Sequence, residues 1–238
     1  TRTVALHHDH RPREALASLD QVVRLRPDSK DSYDLSRFIK TPLRSNVSAG
    51  FGYRDDSDDI SVRRFGVQGE YVINPETRLF GGGDRQSLRA ESGSGFERPD
   101  GDTSIGYNRA WLGIRHRVSP ELSLDAQAGS GSAQGDDTFI YEIGADLQPA
   151  DELAMRLSHR QDLHTVSPRA VALGIERRAN TLDATWTPDL RYTVAGRLGY
   201  DTFSDDNDRW EVQLGPRRAF LRNQKLNLDL GLGGVWFG

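Results

Sequence analysis

The sequence lacks cysteine, long apolar runs and an excess of positive charge, and each absence excludes a class of protein. With no cysteine among its 238 residues, the chain has neither disulfide bridges nor a metal site built from cysteine. No run approaches the roughly 18 apolar residues of a transmembrane helix. A formal net charge of -4 leaves no overall basic face for phosphate, so nucleic acid is not expected as a partner.

The composition does not distinguish a soluble protein from a membrane β-barrel. Apolar residues make up 36% of the chain and charged residues 28%, which is ordinary for a soluble domain. In a membrane barrel, however, every second strand residue faces a polar interior, so the average hydropathy stays low. The order of apolar and polar residues along the chain therefore has to distinguish these two classes.

Three segments near the end of the sequence alternate strictly between apolar and polar residues. They cover 190–201, 209–214 and 226–233, and the last places four leucines on one face against Asn, Asp and Gly on the other. A helix, with a period of 3.6, cannot sort residues in this way. The segments are predicted to be β-strands with one apolar and one polar face, which fits either a sheet packed on a soluble core or a barrel whose apolar face meets lipid.

Similar segments from Val47 onward raise the predicted strand count to eleven. A phase slip near Arg63-Arg64 indicates a β-bulge in the second strand, and the glycines at 81–83 leave the faces of the third unassigned. Tight turns are predicted at 74–77, 119–121, 149–151, 188–189 and 223–224, and longer polar loops at 55–59, 91–102, 135–137, 161–169 and 204–208. Short turns on one side and long loops on the other are typical of outer-membrane barrels and disfavour a soluble β-sandwich.

The N-terminal part is predicted to be helical over 13–26. Ala15, Leu19, Val22 and Pro27 have the spacing of the second helix of a tetratricopeptide repeat and its closing proline, although a single amphipathic helix would show the same stripe. The resulting division is the end of a helical repeat at 1–27, a polar linker at 28–44 and a barrel at 45–238. His7, His8 and His10 precede the helix and are interpreted as a solvated lead-in rather than a metal site.

A helical repeat followed at once by a β-barrel resembles the outer-membrane exporters of exopolysaccharides, such as the poly-N-acetylglucosamine exporter and the cellulose-secretion porin. The best local match is 200–210, which is similar to the Tyr/Phe-Ser-Asp-x-Asn-x-Arg hairpin of those barrels. In those families a periplasmic tetratricopeptide superhelix feeds a sixteen-strand barrel. Half a repeat, eleven strands and the absence of an apolar leader after Thr1 lead us to expect a chain truncated at both ends.

This resemblance implies an all-β, antiparallel up-and-down, partial transmembrane β-barrel with a short N-terminal α-helical segment. The implied function is an outer-membrane, porin-like conduit that exports an exopolysaccharide by passive guidance, with the N-terminal segment in the periplasm. Its partners would be the polysaccharide chain, outer-membrane lipid, and periplasmic or inner-membrane synthase components. The alternative is a general diffusion porin or a structural surface barrel.

The polar phase of the clearest strands supplies the candidate lumen residues. They are Glu142, Asp146, Arg156, Arg191, Arg197, Asp201, Arg209, Glu211 and Asp229. Mixed charges on a water-filled wall can hydrogen-bond the hydroxyls of a sliding sugar chain, or can pair with one another to hold strands together. The sequence leaves both readings open.

No catalytic, cofactor or metal site is predicted. Ser158-His159 and the pair Asp162 and His164 offer the residue types of a serine hydrolase. Neighbours on a strand point to opposite faces, however, and no glycine-flanked nucleophile is present. The acidic loops at 55–59, 97–102, 136–137 and 205–208 are interpreted as hydrated turns, with cation binding as the alternative. We therefore predict a protein that is not an enzyme.

Overall fold

The computed structural model describes residues 2–9, 11–189, 191–222 and 227–237, without the side chains of 221, 222, 227–230 and 237. It consists of short helices followed by one antiparallel sheet. The predicted fold class, all-β and up-and-down with a short N-terminal helical segment, is confirmed. His10, Leu190, Leu226 and the predicted turn at 223–224 lie outside the described residues.

The helical segment consists of three packed helices rather than one. They are α1 (Arg2–His8), α2 (Pro12–Leu25) and α3 (Lys30–Lys40), followed by a 3₁₀ turn at Thr41–Leu43. Leu6, Ala15, Leu19 and Ile39 form their shared apolar core. The predicted helix over 13–26 is therefore present as α2, and its buried residues include two of the repeat-like positions.

The segment 28–44, interpreted from the sequence as a polar linker, contains α3. Its N-terminus is capped by Ser29, whose Oγ accepts a hydrogen bond from the backbone N–H of Ser32 at 3.1 Å. This cap satisfies one of the backbone N–H groups in the first turn of α3. Near the C-terminal end of α3, the side chain of Ile39 is buried and stabilises the helix. The apolar stripe of α3 is narrow and most of its residues are polar, which is why the sequence pattern did not predict this helix.

Twelve strands form a single sheet among the described residues. They are β1 (Asn46–Asp55), β2 (Ser61–Val72), β3 (Thr77–Arg89), β4 (Ser104–Ser119), β5 (Leu122–Ala133), β6 (Asp136–Ala150), β7 (Leu153–Leu163), β8 (Glu176–Trp186), β9 (Tyr192–Phe203), β10 (Asp208–Arg222), β11 (Asn227–Gly231) and β12 (Gly234–Phe237). Each strand from β1 to β10 pairs antiparallel with the next. β12 also pairs with β10, so β11 and β12 share one position and the sheet has the eleven positions predicted.

Two local predictions about the strands are wrong. The register between β1 and β2 and between β2 and β3 is continuous, so no bulge exists at Arg63-Arg64. The phase slip arises because Val62 packs against a buried apolar cluster on the otherwise polar face. In addition, the loop predicted at 135–137 is a two-residue turn at Gln134-Gly135, both with positive φ, which matches the twist of a tight hairpin.

The sheet curls around its polar face. Tyr107 on β4 donates a hydrogen bond from its hydroxyl to Asp162 on β7 at 2.6 Å. These strands lie three spacings apart, or about 14 Å in a flat sheet, which is farther than the two side chains reach. The contact therefore requires curvature that brings β4 and β7 toward each other across the polar face.

The helices lie at the end of the sheet that carries the short turns. Arg13 on α2 forms an ion pair with Glu76 in the β2–β3 turn at 2.8 Å. Arg78 on β3 donates to the carbonyl oxygen of Pro42 at 3.0 Å. No helix in the described part of the chain has both the length and the apolar character needed to cross a bilayer.

Candidate functional site

The strand register arranges the polar face in rows that cross the sheet. Residues directly opposite each other in an antiparallel pair share a face. One continuous row, from β5 to β10, consists of Gln127, Glu142, Arg160, Ala179, Asp201 and Arg209. We call this side of the sheet the polar face and the opposite side the apolar face.

The structure places most of the predicted site residues on the polar face. Glu142, Asp146, Arg156, Arg197, Asp201, Arg209 and Glu211 all belong to its rows. Arg191 is exposed in the turn before β9, where its backbone N–H donates to Asp189 at 2.6 Å. Asp229 lies on β11 opposite Ala219, and its side chain is outside the described residues.

A buried ion-pair network joins four strands around Asp84, and sequence reasoning missed it. The Asp84 carboxylate accepts from Arg64 Nη2 at 2.7 Å and from Arg109 Nη2 at 2.6 Å. Arg109 also pairs with Asp162, which accepts from the Tyr107 hydroxyl. The network links β2, β3, β4 and β7 and therefore holds the curvature of the sheet.

A second network centres on Arg156, one of the predicted residues. Its guanidinium donates to Asp125 at 2.9 Å, to Asp146 at 3.0 Å and to Glu142 at 3.2 Å. To reach Asp125 on β5, Arg156 on β7 has to cross β6 at Gly144. A Cβ there would lie 2.7 Å from Arg156 Nη2, so the missing side chain makes the crossing possible.

A third network is built on Asp201 of β9. Its carboxylate accepts from Arg177 at 2.8 Å and from Arg209 at 2.6 Å. Both arginines lie beside His164, whose ring contacts Phe203 at 4.7 Å between centroids. Burial, followed by the charges of Arg177 and Arg209, lowers the pKa of His164 to about 4. This histidine is therefore uncharged at neutral pH.

The polar face encloses a central cavity of about 640 Å³, lined from β1 through β8 and from β10. Glu142 and Asp162 are its only lining carboxylates among the described residues. Seven arginines line it: Arg54, Arg64, Arg109, Arg115, Arg160, Arg177 and Arg209. Trp111 and Phe80 add flat aromatic surfaces.

A second cavity, of about 670 Å³, lies at the short-turn end between the sheet and the helices. His7 and His8 of α1 border it on one side. Arg78, Arg115 and Arg117 border it on the sheet side. Arg115 lines both cavities, so the two are contiguous along the polar face.

The long-loop end of the polar face is partly covered by a short helix, α4 (Pro168–Ala172). Val171 of α4 packs into the buried apolar cluster with Val62, Leu88 and Ile105. The backbone N–H of Arg169 donates to the carbonyl oxygen of Phe96 in the β3–β4 loop at 2.9 Å. The predicted loop at 161–169 is thus partly strand and partly helix, and it narrows this end.

The apolar face consists of large side chains in contact with solvent. Leu112 is 67% exposed and Phe65 is 57% exposed, although both lie within strands. Further exposed residues on this face are Val67, Leu79, Ile114, Leu124, Phe139, Ile143, Leu157, Leu198, Trp210 and Leu214. A continuous apolar band of this kind has to be covered by another apolar phase.

The acidic loops use their carboxylates to cap backbone groups. Asp56 accepts from the N–H groups of Asp58 and Ile60, each at 3.1 Å. Hydrogen bonds from its own N–H and from those of Gly95 and Gly93 hold the pKa of the Glu97 carboxyl below its usual value. The described residues contain no group of three or more His, Asp or Glu side chains placed to hold a metal ion. These contacts favour the interpretation of the loops as hydrated turns.

Ser158 and His159 point to opposite faces, as strand geometry requires. The Ser158 hydroxyl is 2.6 Å from that of Thr181 on the polar face. His159 interacts with Tyr141 at 2.9 Å and with Asn180 at 2.8 Å on the other face. These two residues therefore do not form a nucleophile and base pair.

No protein-family model matches the chain, and no curated protein matches it significantly. Among solved structures, the chain is similar to a bacterial polysaccharide outer membrane secretin. The TM-score is 0.63 at 14% identity, over 82% of this chain and 63% of that one. A Pseudomonas aeruginosa FadL homologue aligns with a TM-score of 0.49 at 10% identity, covering 82% and 67%. The KdgM porin in complex with disordered oligogalacturonate gives 0.41 at 10% identity, covering 81% and 91%.

The first of these similarities shows a shared fold, that of an outer-membrane β-barrel. The chain spans 63% of the length of that structure. An outer-membrane location is supported by this fold together with the exposed apolar face.

Gly131, on the polar face of β5, offers a test of how the side chains of this face pack. A Cβ on Gly131 would overlap the Tyr107 hydroxyl, so Gly131→Ala should displace Tyr107 from Asp162. Overpacking of this kind costs about 1–3 kcal/mol, measurable as a lower unfolding temperature in detergent. Gly50→Ala on β1 is the control, because nothing lies within 4 Å of its added Cβ. Equal stability of the two variants would contradict the observed packing of Tyr107.

Proposed function

We propose that the intact protein is an outer-membrane conduit that exports a hydrated exopolysaccharide by passive guidance. The carrying observation is a sheet that curls around a polar, arginine-lined cavity while its opposite face is apolar. A barrel with these faces spans a bilayer and leaves a water-filled path. The solved structure with the same fold is, by its name, a polysaccharide secretin, which favours a polymer as cargo.

The helical segment supports export over simple diffusion. It packs against the short-turn end, and in outer-membrane barrels the short turns face the periplasm. The ion pair of Arg13 with Glu76 and the hydrogen bond of Arg78 to Pro42 hold it there. We propose that α1 and α2 end a tetratricopeptide array and that this array receives the polymer from periplasmic or inner-membrane synthase components.

The general diffusion porin is the competing function, and a gene deletion separates the two. Export predicts that the deletion abolishes secretion of one exopolysaccharide while uptake of small hydrophilic solutes is unchanged. Complementation with the unmodified gene should restore secretion. If the deletion instead slows solute uptake and leaves every secreted polymer intact, the diffusion porin is the correct assignment.

A further inference from the structure

Three carboxylates of the polar face lie deeper than the arginines that pair with them. The side chains of Asp84, Asp125 and Asp201 are only 1%, 4% and 3% exposed. The arginines paired with them are 14–51% exposed. Aspartate is short and stays near the strand backbone, whereas arginine extends beyond it. At these three sites the surface offered to a solute therefore consists of guanidinium groups, whereas Asp146 and Asp183 on the same face are 45% and 37% exposed.

Two arginines of the central cavity have no internal counterion. The side chains of Arg54 on β1 and Arg160 on β7 form no ion pair or hydrogen bond with any described residue, and both line the cavity. An acceptor-rich ligand in the cavity would pair with these two guanidinium groups.

The arginines continue beyond the central cavity. Arg115 is shared with the short-turn cavity, which adds Arg78 and Arg117. A path from the helices to the central cavity is thus bordered by guanidinium groups in both cavities, with Glu76 and Asp146 also lining the short-turn cavity. His164 is neutral, so the positive charge of the central cavity comes from its arginines.

Guanidinium groups match the geometry of carboxylates, to which they donate two parallel hydrogen bonds. Rings of arginine mark pores that pass anions, and many weak sites allow a ligand to move from one to the next. Trp111 and Phe80 line the same cavity, and the guanidinium groups of Arg109 and Arg115 lie over their rings, each 5.5 Å from the ring centroid.

We propose that the transported polymer is an acidic polysaccharide whose sugar carboxylates move along the arginines of the two cavities. This inference rests on the proposed function and names its substrate class. A neutral polymer would gain only hydrogen bonds to its hydroxyl groups from the arginines, and a cationic polymer would be repelled by them.

The test uses the intact protein in planar lipid bilayers. Anion selectivity is measured from the reversal potential in a salt gradient. Block of the current is then compared for an oligogalacturonate, a neutral malto-oligosaccharide and a cationic glucosamine oligomer of equal length. We expect an anion-selective channel that the acidic oligomer alone blocks. Arg54→Gln and Arg160→Gln should each weaken the block by about two- to fivefold, the range of a solvent-exposed ion pair.

Arg85→Gln is the matched control. Arg85 is an exposed strand arginine with the opposite orientation, on the apolar side of β3, so its loss changes the net charge equally without altering the cavity. The acidic oligomer should block the Arg85→Gln channel as strongly as it blocks the unmodified channel. A conducting channel that is cation-selective, or that the neutral oligomer blocks equally well, would overturn the acidic substrate and leave the conduit in place. A protein that inserts but never conducts would overturn the conduit as well.

Discussion

Replacing Arg109 by methionine is expected to remove about 3–5 kcal/mol of folding stability, the usual cost of breaking a buried ion pair. Methionine keeps much of the side-chain volume but leaves Asp84 and Asp162 without their shared cation. Asp84 on β3 then keeps Arg64 as its cation, but Asp162 on β7 keeps only the Tyr107 hydroxyl, and the charge that joins β4 to both strands is lost. The loss is measured as a fall in the urea or thermal unfolding midpoint of the protein in detergent micelles.

Arg197→Met provides the matched control for this loss. Arg197 pairs with Asp183 across neighbouring strands of the same face at 2.6 Å, but both side chains are well exposed. Solvent-exposed pairs contribute about 0–1 kcal/mol, so this variant should unfold close to the unmodified protein. Equal losses at the two positions would show that the buried network does not hold the sheet.

A charge on the apolar face is expected to block assembly of the barrel. Val67 lies in the middle of β2, and it is 43% exposed on the face proposed to meet lipid. Val67→Arg should cost about 2–4 kcal/mol, the penalty for arginine at the bilayer midplane. The measurement is the amount of folded protein in the outer membrane, read from its altered gel mobility without heating.

The neighbouring residue supplies the control for lipid contact. Gln68 points from the same strand into the central cavity, so Gln68→Arg places the same charge in water. Its assembly should be normal. Impaired assembly of both variants, or of neither, would mean that the two faces of β2 do not see different phases.

The strands with a clean period of two could be predicted with their faces, because alternation alone fixes which residues share a side. Phe139 and Leu157 on the apolar face, and Glu142 and Arg156 on the polar face, lie where the pattern indicated. The pattern failed where the polar face carries an apolar patch. Val62 lies on the polar face of β2 and packs toward α4, and this break in the alternation led to the wrong prediction of a bulge.

Two of the three ion-pair networks could not be predicted in full because each includes a pair between strands that are not neighbours, Arg109 with Asp162 and Arg156 with Asp125. Contact between Arg109 and Asp162 depends on the curvature of the whole sheet. In the sequence, the polar phase of the strands contains arginines and carboxylates in similar numbers. These numbers do not show that some of the carboxylates are buried more deeply than the arginines that pair with them. Only the structure shows that Asp84 and Asp201 lie beneath their arginines.

The central claim, that the polar face lines a water-filled path and the apolar face meets lipid, is tested most directly by thiol labelling in intact outer membranes. The 238 residues contribute no cysteine of their own, so single cysteines can be placed on adjacent residues, Leu157→Cys with Ser158→Cys and Ala126→Cys with Gln127→Cys. Cysteines at 158 and 127 should react with a charged, water-soluble thiol reagent, while those at 157 and 126 should not. Equal labelling within each pair, or labelling at 157 and 126 alone, would contradict the account.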